Sequence, residues 1–504
     1  MRQDYIHRFY DDFSETGFKR LIGEGFLFKN AKYNYIPTKT GPGHASIYTS
    51  TTPSRHGIVG NDWYERGIKR RYNCVEDTTV SVVGGVSNGE VSAANVRVTT
   101  VTDELRLYHN FESKVIGISL KDRGAAIPAG HNPTGAYWYD LQSGNMITST
   151  YYRDELPDWV TRYNQKKRYE SLLGQDWNLF ADESVYNESI KDDNAYEQEL
   201  RKGMGVSFPH QTSKYKKDPS LIKYTPYTNT IIKEVAMEAI SNEELGKDAI
   251  TDFLTISFSA TDDIGHKFGP RSKEVQDIYL RLDAEMAEIL DALDREVGEG
   301  NYLVFLTADH GSTDVPSYLY KNKMPAGYHN NKFIKDLIND ELSSFYGDEK
   351  WVDNIINEQV FLDQQLIKSK SLDLEEVRQV VVNRLLKEDY VEEAFSSTLV
   401  AKRIFTDPYL QFLQNGYYGK RCGDVVYILS NSNLNDAYGR QGTDHRTGYS
   451  YDRHIPIIFF GAGIPTGSSI RPVSITDIAP TLSHLLNISL PSGSTGEPLL
   501  ELFD

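Results

Sequence analysis

Cysteine is scarce: Cys74 and Cys422 are the only two in 504 residues. That excludes a disulfide framework and a four-thiolate zinc ribbon, and leaves either one long-range bridge or two free thiols. No apolar run approaches the ~20 residues of a membrane-spanning helix, so no membrane span is expected. Basic residues are the minority, with 54 Lys and Arg against 71 Asp and Glu and a formal net charge of -17. Such a surface repels a phosphate backbone, which argues against a nucleic-acid partner and admits small phosphorylated substrates only where cations gather locally. No signal peptide is expected in the given sequence, because Met1 leads straight into RQDYIHRFYDDF, where Tyr5, Ile6, Phe9, Tyr10 and Phe13 recur at helical spacing. Internal repeats and low-complexity tracts are not evident.

What is present is a strong alternation of helix and strand patterns. A helix is expected to about Leu21, a strand near Phe28 to Tyr35, a helix after Thr40, a helix around Thr102 to Tyr108 and a strand at Lys114 to Leu120. Further continuous apolar strands are expected at Asp252 to Ser259, Tyr302 to Ala308 and Ile455 to Gly461, and a closing helix near Thr476. Strands too apolar to be amphipathic belong to a sheet covered on both faces. The fold class is therefore α/β, a doubly wound, mostly parallel central sheet with helices on both faces. Two stretches depart from the pattern. Residues 141–224 shift to Tyr, Asp, Asn, Lys and Trp in short broken segments, and 331–439 mixes helices and strands. Both are expected to be inserted subdomains on one domain, whose core is about 1–140, 225–330 and 440–504.

The stretch from Tyr35 to Trp63, YIPTKTGPGHASIYTSTTPSRHGIVGNDW, carries the first chemical signal. Gly41, Pro42 and Gly43 let the chain turn sharply after Thr40 into the helix-compatible run HASIYTS, so Thr40 lies at a helix N-terminus. Free N–H groups and the positive end of the helix dipole favour an anion there. A threonine hydroxyl is a poor nucleophile by itself and needs a base or a metal to take its proton. Carboxylates and imidazoles occur just past strand ends in three separated segments: Asp262 and His266 in ATDDIGHKFGP, Asp309 and His310 after LVFLTA, and His445 with His454 in GTDHRTGYSYDRHIP. Open α/β sheets place their sites at such ends. Each segment alone is an ordinary turn or cap, but the coincidence of all three with Thr40 points to an oxygen and imidazole metal site, suited first to zinc, with manganese and iron as the alternatives. His44 and His56 have packing as their ordinary reading, and His454 either caps its strand or supports a ligand.

The segments TGPGHASIYTSTTPSRHGIVGNDW, SLKDRGAAIPAGHNPTGAYW, SATDDIGHKFGP, FLTADHGST, GTDHRTGYSYDRHIPIIFFG and ITDIAPTLSHLLNISLPSGSTGEPL resemble, in this order and over the whole chain, the alkaline phosphatase superfamily. They look most like the bacterial phosphate-irrepressible alkaline phosphatases, relatives of the nucleotide pyrophosphatases/phosphodiesterases. The resemblance implies a phosphate monoester hydrolase with two Zn2+ ions and a covalent phosphothreonine on Thr40. It implies that Asp262, His266 and His445 hold one zinc, and that Asp309 and His310 hold the other together with Thr40. Asn61 would donate its amide to a phosphoryl oxygen, and Lys121 and Arg123 would meet the remaining charge. A monoester has one more charged oxygen than a diester, so that ammonium and guanidinium pair favours the monoester. A sulfatase is disfavoured because the nucleophile position is Thr, with no Cys to become formylglycine. A monomer in the periplasm or secreted is expected from the family. One departure stands out: Met1-Arg2-Gln3-Asp4-Tyr5 matches only the tail of a family pattern like VVDQMRxDY. A further Asp ligand and its strand are therefore expected upstream, in a sequence truncated at its start. The alternatives are a phosphodiesterase or nucleotide pyrophosphatase on the same core, or an inactive binding protein with a deficient metal site.

Overall fold

The computed structural model describes residues 1–402, 404–436 and 439–503. Among them no helix is long and apolar enough to cross a membrane. The chain enters on a short helix at Asp4–Arg8 and a second at Phe18–Glu24. The single helix expected to about Leu21 is therefore broken. The break is fixed by Asp283, whose carboxylate accepts hydrogen bonds from the N–H groups of Ser14 (2.7 Å) and Phe18 (2.6 Å) and so caps a new helix start.

The core strands and helices follow: β1 (Phe26–Lys32), α1 (Thr40–Thr49), β2 (Val115–Ser119), α2 (Asp122–Ala129), β3 (Gly135–Tyr139) and β4 (Met146–Ser149). After an irregular stretch come α3 (Tyr227–Asn242), β5 (Phe253–Ser257), α4 (Ala260–Phe268), α5 (Lys273–Leu293) and β6 (Leu303–Thr307). The stretch expected as the second insertion carries an antiparallel sheet of β7 (Val352–Ile356), β8 (Gln359–Leu362), β9 (Val391–Ser396) and β10 (Val425–Leu429), with an apolar core of its own. The chain closes on β11 (His454–Gly461) and α6 (Ile478–Leu485).

The continuous apolar runs have a simple cause: successive side chains serve two different cores. In β3, Tyr137 and Tyr139 join the cluster formed with α3 and α5, whereas Ala136 and Trp138 join the cluster beneath α1 and α2. In β11, Ile458 and Phe460 face the first cluster, and Ile457 and Phe459 pack with Tyr48, Ala479 and Leu482 on the other side. A strand covered on both faces keeps its period of two, but every position is apolar.

β2 pairs in parallel with β3 and β5, while β11 runs antiparallel between β1 and β6. That reversal brings the start of β11 to the same edge of the sheet as the ends of β1 and β6. Two of the strands expected to be wholly buried, β5 and β6, are only half-buried along most of their length. They lie at the edges of two separate sheets, share no ladder hydrogen bonds among the described residues, and flank a cavity of about 950 Å³ lined by Tyr48, Ile256, Met286, Phe305 and Leu306 among others. Cys74 and Cys422 are free, buried thiols in one apolar cluster.

α1 approaches the loop after β6 closely through Gly43. A Cβ built there would lie 2.5 Å from the Asp309 carbonyl oxygen and 2.8 Å from its Cβ. Gly43→Ala is expected to force α1 and that loop apart and to cost about 1–3 kcal/mol of stability. Urea unfolding of the purified variant measures this, and an unchanged midpoint would refute the close-packing account.

Candidate active site

Thr40 is the first residue of α1, buried, and preceded by Lys39 in an extended conformation. The helix begins there because Gly41 and Gly43 tolerate contacts that no larger residue would; a Cβ on Gly41 would meet Cys74 Sγ at 2.9 Å. Asn61 Oδ1 accepts a hydrogen bond from the Gly41 N–H at 2.7 Å, occupying one unsatisfied donor of the helix N-terminus. Because that contact needs an acceptor, the Asn61 amide nitrogen faces the other way, as a donor.

The metal-type residues converge on Asp262, in the first turn of α4. Its Oδ1 is 3.2 Å from His266 Nε2, 3.6 Å from His445 Nε2 and 3.9 Å from His310 Nε2. The ligand atoms of Asp262, His266 and His445 lie within 4.8 Å of one another, a set that could hold a metal ion. Each ring is fixed from behind by a backbone carbonyl on its Nδ1: Thr443 at 2.8 Å for His266, Thr38 at 2.6 Å for His445 and Gly311 at 2.8 Å for His310. With Nδ1 protonated to donate, the rings of His310 and His445, both lowered by burial, are left with an Nε2 lone pair directed into the site, whereas burial works against charge on His266 but Asp262 raises it. His310 Nε2 is buried with no hydrogen-bond partner, and a metal would satisfy such an atom. Asp309 Oδ2 lies 3.4 Å from His310 Nε2 and 3.9 Å from His44 Nε2. The donor set therefore fits a metal of the kind carboxylates and imidazoles bind.

The cationic side is equally compact. Lys121 caps α2 at the end of β2 and places Nζ 2.6 Å from Asp262 Oδ2. Arg123 pairs with Asp122 at 3.3 Å through Nη1, and its buried Nε has no hydrogen-bond partner. The electrostatics follow from these contacts. Burial opposes charge on Asp262, but His266, Lys121 and His310 outweigh it and hold the carboxyl well below the usual range. Burial also lowers His445 strongly, with His310 adding, so the ring is neutral and free to act as a ligand. Burial works against the Lys121 ammonium, yet Asp262 and Asp263 raise it, keeping it charged.

The fold thus brings together Thr40, Asn61, Lys121, Arg123, Asp262, His266, Asp309, His310 and His445. His56 is a packing residue as expected, bonded to Ser46 Oγ at 3.0 Å, and His454 is remote, bonded to the Lys29 carbonyl at 2.9 Å. His44, expected to be packing, stands at the edge of the site near Asp309; burial pulls its ring down to about 4. Three groups escaped the sequence reading. Desolvation, with Arg446 adding, pulls the Lys39 ammonium next to Thr40 down to about 8. Arg446, which follows His445, bridges Asp444 and Glu358, the latter at 3.1 Å. The Met1 ammonium donates to the His310 carbonyl at 3.1 Å. Only adjacency to the motifs signalled the first two.

Part of the stretch expected as the first insertion clamps together the two segments that carry His266 and His445. The Gln198 N–H donates to the Lys267 carbonyl at 3.0 Å, the Gly442 N–H to the Tyr196 carbonyl at 2.7 Å, and the Thr443 N–H to the His266 carbonyl at 2.9 Å. Between Tyr196 and Gln198, Glu197 is buried.

A family model described as type I phosphodiesterase / nucleotide pyrophosphatase matches residues 1–448. Alkaline phosphatase PafA of Elizabethkingia meningoseptica is 42% identical over 509 residues, covering 100% of this chain and 92% of that protein. Alkaline phosphatase PhoV of Synechococcus elongatus is 42% identical over 506 residues, covering 100% of this chain and 91% of its own length. The crystal structure of wild-type PafA superimposes with a TM-score of 0.96 at 42% identity, over 99% of this chain and 96% of that one. Murine ectonucleotide pyrophosphatase / phosphodiesterase 5, at 14% identity and a TM-score of 0.53 over 97% of this chain and 93% of that one, shares the fold.

Burial, with Glu274 adding, pushes the Glu197 carboxyl up to about 9. A carboxyl raised in the folded state contributes its full stability below the unfolded value of roughly 4.3, and loses it as the pH climbs towards the folded value. Glu197→Gln is expected to melt higher than the wild type at pH 9 and no higher at pH 5. Calorimetric scans at both pH values check this; a parallel shift at the two would contradict the titration.

Proposed function

Because the chain belongs to the type I phosphodiesterase / nucleotide pyrophosphatase family, we propose that it is a zinc-dependent alkaline phosphatase that hydrolyses phosphate monoesters through a phosphothreonine on Thr40. The observation that carries the reading is Lys121, charged and 2.6 Å from Asp262 beside Arg123, at the point where carboxylates and imidazoles meet the start of α1. A monoester dianion needs that extra positive charge and a diester does not. The 42% identity to two alkaline phosphatases supports the same choice.

In this reading Asp262, His266 and His445 hold one zinc, and Asp309 and His310 hold the other with Thr40. Bound there, the ions supply Lewis acidity to the Thr40 hydroxyl and to the leaving oxygen. Thr40 Oγ1 gives up its proton to solvent and attacks phosphorus in line, forming the new P–O bond as the ester oxygen departs with its electron pair and takes a proton from solvent. Water then cleaves the phosphothreonine, returning the hydroxyl and releasing inorganic phosphate. Asn61, locked by the Gly41 N–H, directs its amide at one phosphoryl oxygen, while Lys121 and Arg123 carry the others. The positive end of α1 favours the same anion. We further propose a monomer, with two inserted subdomains on one catalytic domain, acting in the periplasm or secreted.

Thr40→Ala is expected to lower kcat for an aryl phosphate monoester by at least about a thousandfold and to abolish acid-stable phosphate labelling of the protein. Chelation should remove activity, with zinc restoring it and calcium failing to. Lys121→Ala with Arg123→Ala should cut monoester kcat/KM far more than diester kcat/KM; equal losses would favour the phosphodiesterase reading.

A further inference from the structure

Lys121 has a second anionic neighbour. Its Nζ lies 2.6 Å from Asp262 Oδ2 and 3.5 Å from Asp263 Oδ2, and the other oxygen of Asp263 is 3.2 Å from Lys223 Nζ. The two aspartates are adjacent on α4 but serve different partners. Asp262 Oδ1 turns to three imidazoles, whereas Asp263 bridges two ammonium groups. Asp263 is buried, and these two ammonium groups face its two oxygens. Lys223 reaches it from the short turn at Leu221–Tyr224, at the end of the first insertion, and its ammonium also lies 5.2 Å from the Tyr224 ring centre.

We propose that Asp263, held by Lys223, is the positioning residue that keeps Lys121 aimed at the extra charged oxygen of a monoester. This rests on the role given to Lys121 above. The argument is one of competition. A metal drawing on the Asp262 carboxylate takes electron density from the same group that Lys121 pairs with, so Asp262 alone is a poor anchor for the ammonium. Asp263 remains available, and its second cation decides how firmly it holds the first. Two lysines around one carboxylate leave a net positive charge, so Lys121 is oriented and still attracts a phosphoryl oxygen. The first insertion, through Lys223, thereby takes part in choosing the ester class.

The test uses the zinc-loaded protein and compares Asp263→Asn, Lys223→Gln and Lys223→Arg with the wild type. Asp263→Asn is expected to lower monoester kcat/KM and affinity for inorganic phosphate, measured by calorimetry, by roughly tenfold, the size of one partly buried ion pair, with a clearly smaller fall for a diester. Lys223→Gln should do the same more weakly, Lys223→Arg should recover most of the loss, and zinc per chain should match the wild type in all three. Equal loss for both ester classes together with lost zinc would overturn the inference, because Asp263 would then merely support Asp262. Unaltered phosphate affinity in Asp263→Asn would overturn it as well. Lys121→Ala separates this from the underlying reading: if it leaves the monoester to diester ratio unchanged, the role of Lys121 itself fails, and if it shifts the ratio while Asp263→Asn does not, only the present inference fails.

Discussion

A carboxylate taken out of water must be met by positive charge or hydrogen-bond donors, or it will pick up a proton. Asp262 is such a group, and the structure around it answers that demand. One oxygen faces three imidazole nitrogens within 3.9 Å and the other takes the Lys121 ammonium at 2.6 Å. His266 shares α4 with Asp262 and the other partners come from three separate parts of the chain, so the local architecture reduces to delivering three further segments to one carboxylate. β2 delivers Lys121, α4 delivers Asp262 and His266, the loop after β6 delivers His310, and the segment before β11 delivers His445.

The supporting contacts show how narrow the tolerance is. Gly43 lets α1 rest on the Asp309 backbone, which brings the Thr40 end of the helix alongside the acidic cluster. The Thr38 carbonyl, two residues before Thr40, holds the His445 ring at 2.6 Å, so the entry to α1 and the imidazole set cannot move independently. The Tyr196 to Gln198 segment ties the end of α4 to the strand-like segment leading to His445. The chain as a whole carries a net charge of -17, yet Lys121, Arg123 and Lys223 gather at this point. An acidic protein can attract a phosphorylated substrate because focusing is local, set by charges within a Debye length of the site and not by the total.

The sequence by itself singled out the candidate residues. Thr40 could be placed at a helix start because Gly41, Pro42 and Gly43 are local signals, and the apolar strands were legible because two-sided burial writes itself into every position. Asp262, His266, Asp309, His310 and His445 stood out by residue type beside those strands. The tertiary structure alone decided what local signals cannot encode. β11 runs antiparallel, which is why His445 precedes its strand while Asp262, His266, Asp309 and His310 follow theirs. Asp283, some 265 residues away in sequence, breaks the first helix. β5 and β6 have the composition of buried strands, but they are only half-buried because, among the described residues, each lies at the edge of its sheet. Asp263 and Lys223 look like surface charges in sequence; only the meeting of α4, β2 and the end of the first insertion makes them partners of Lys121. Pattern and propensity act over a few residues, whereas strand direction, charge pairing and close backbone approach are settled between segments hundreds of residues apart.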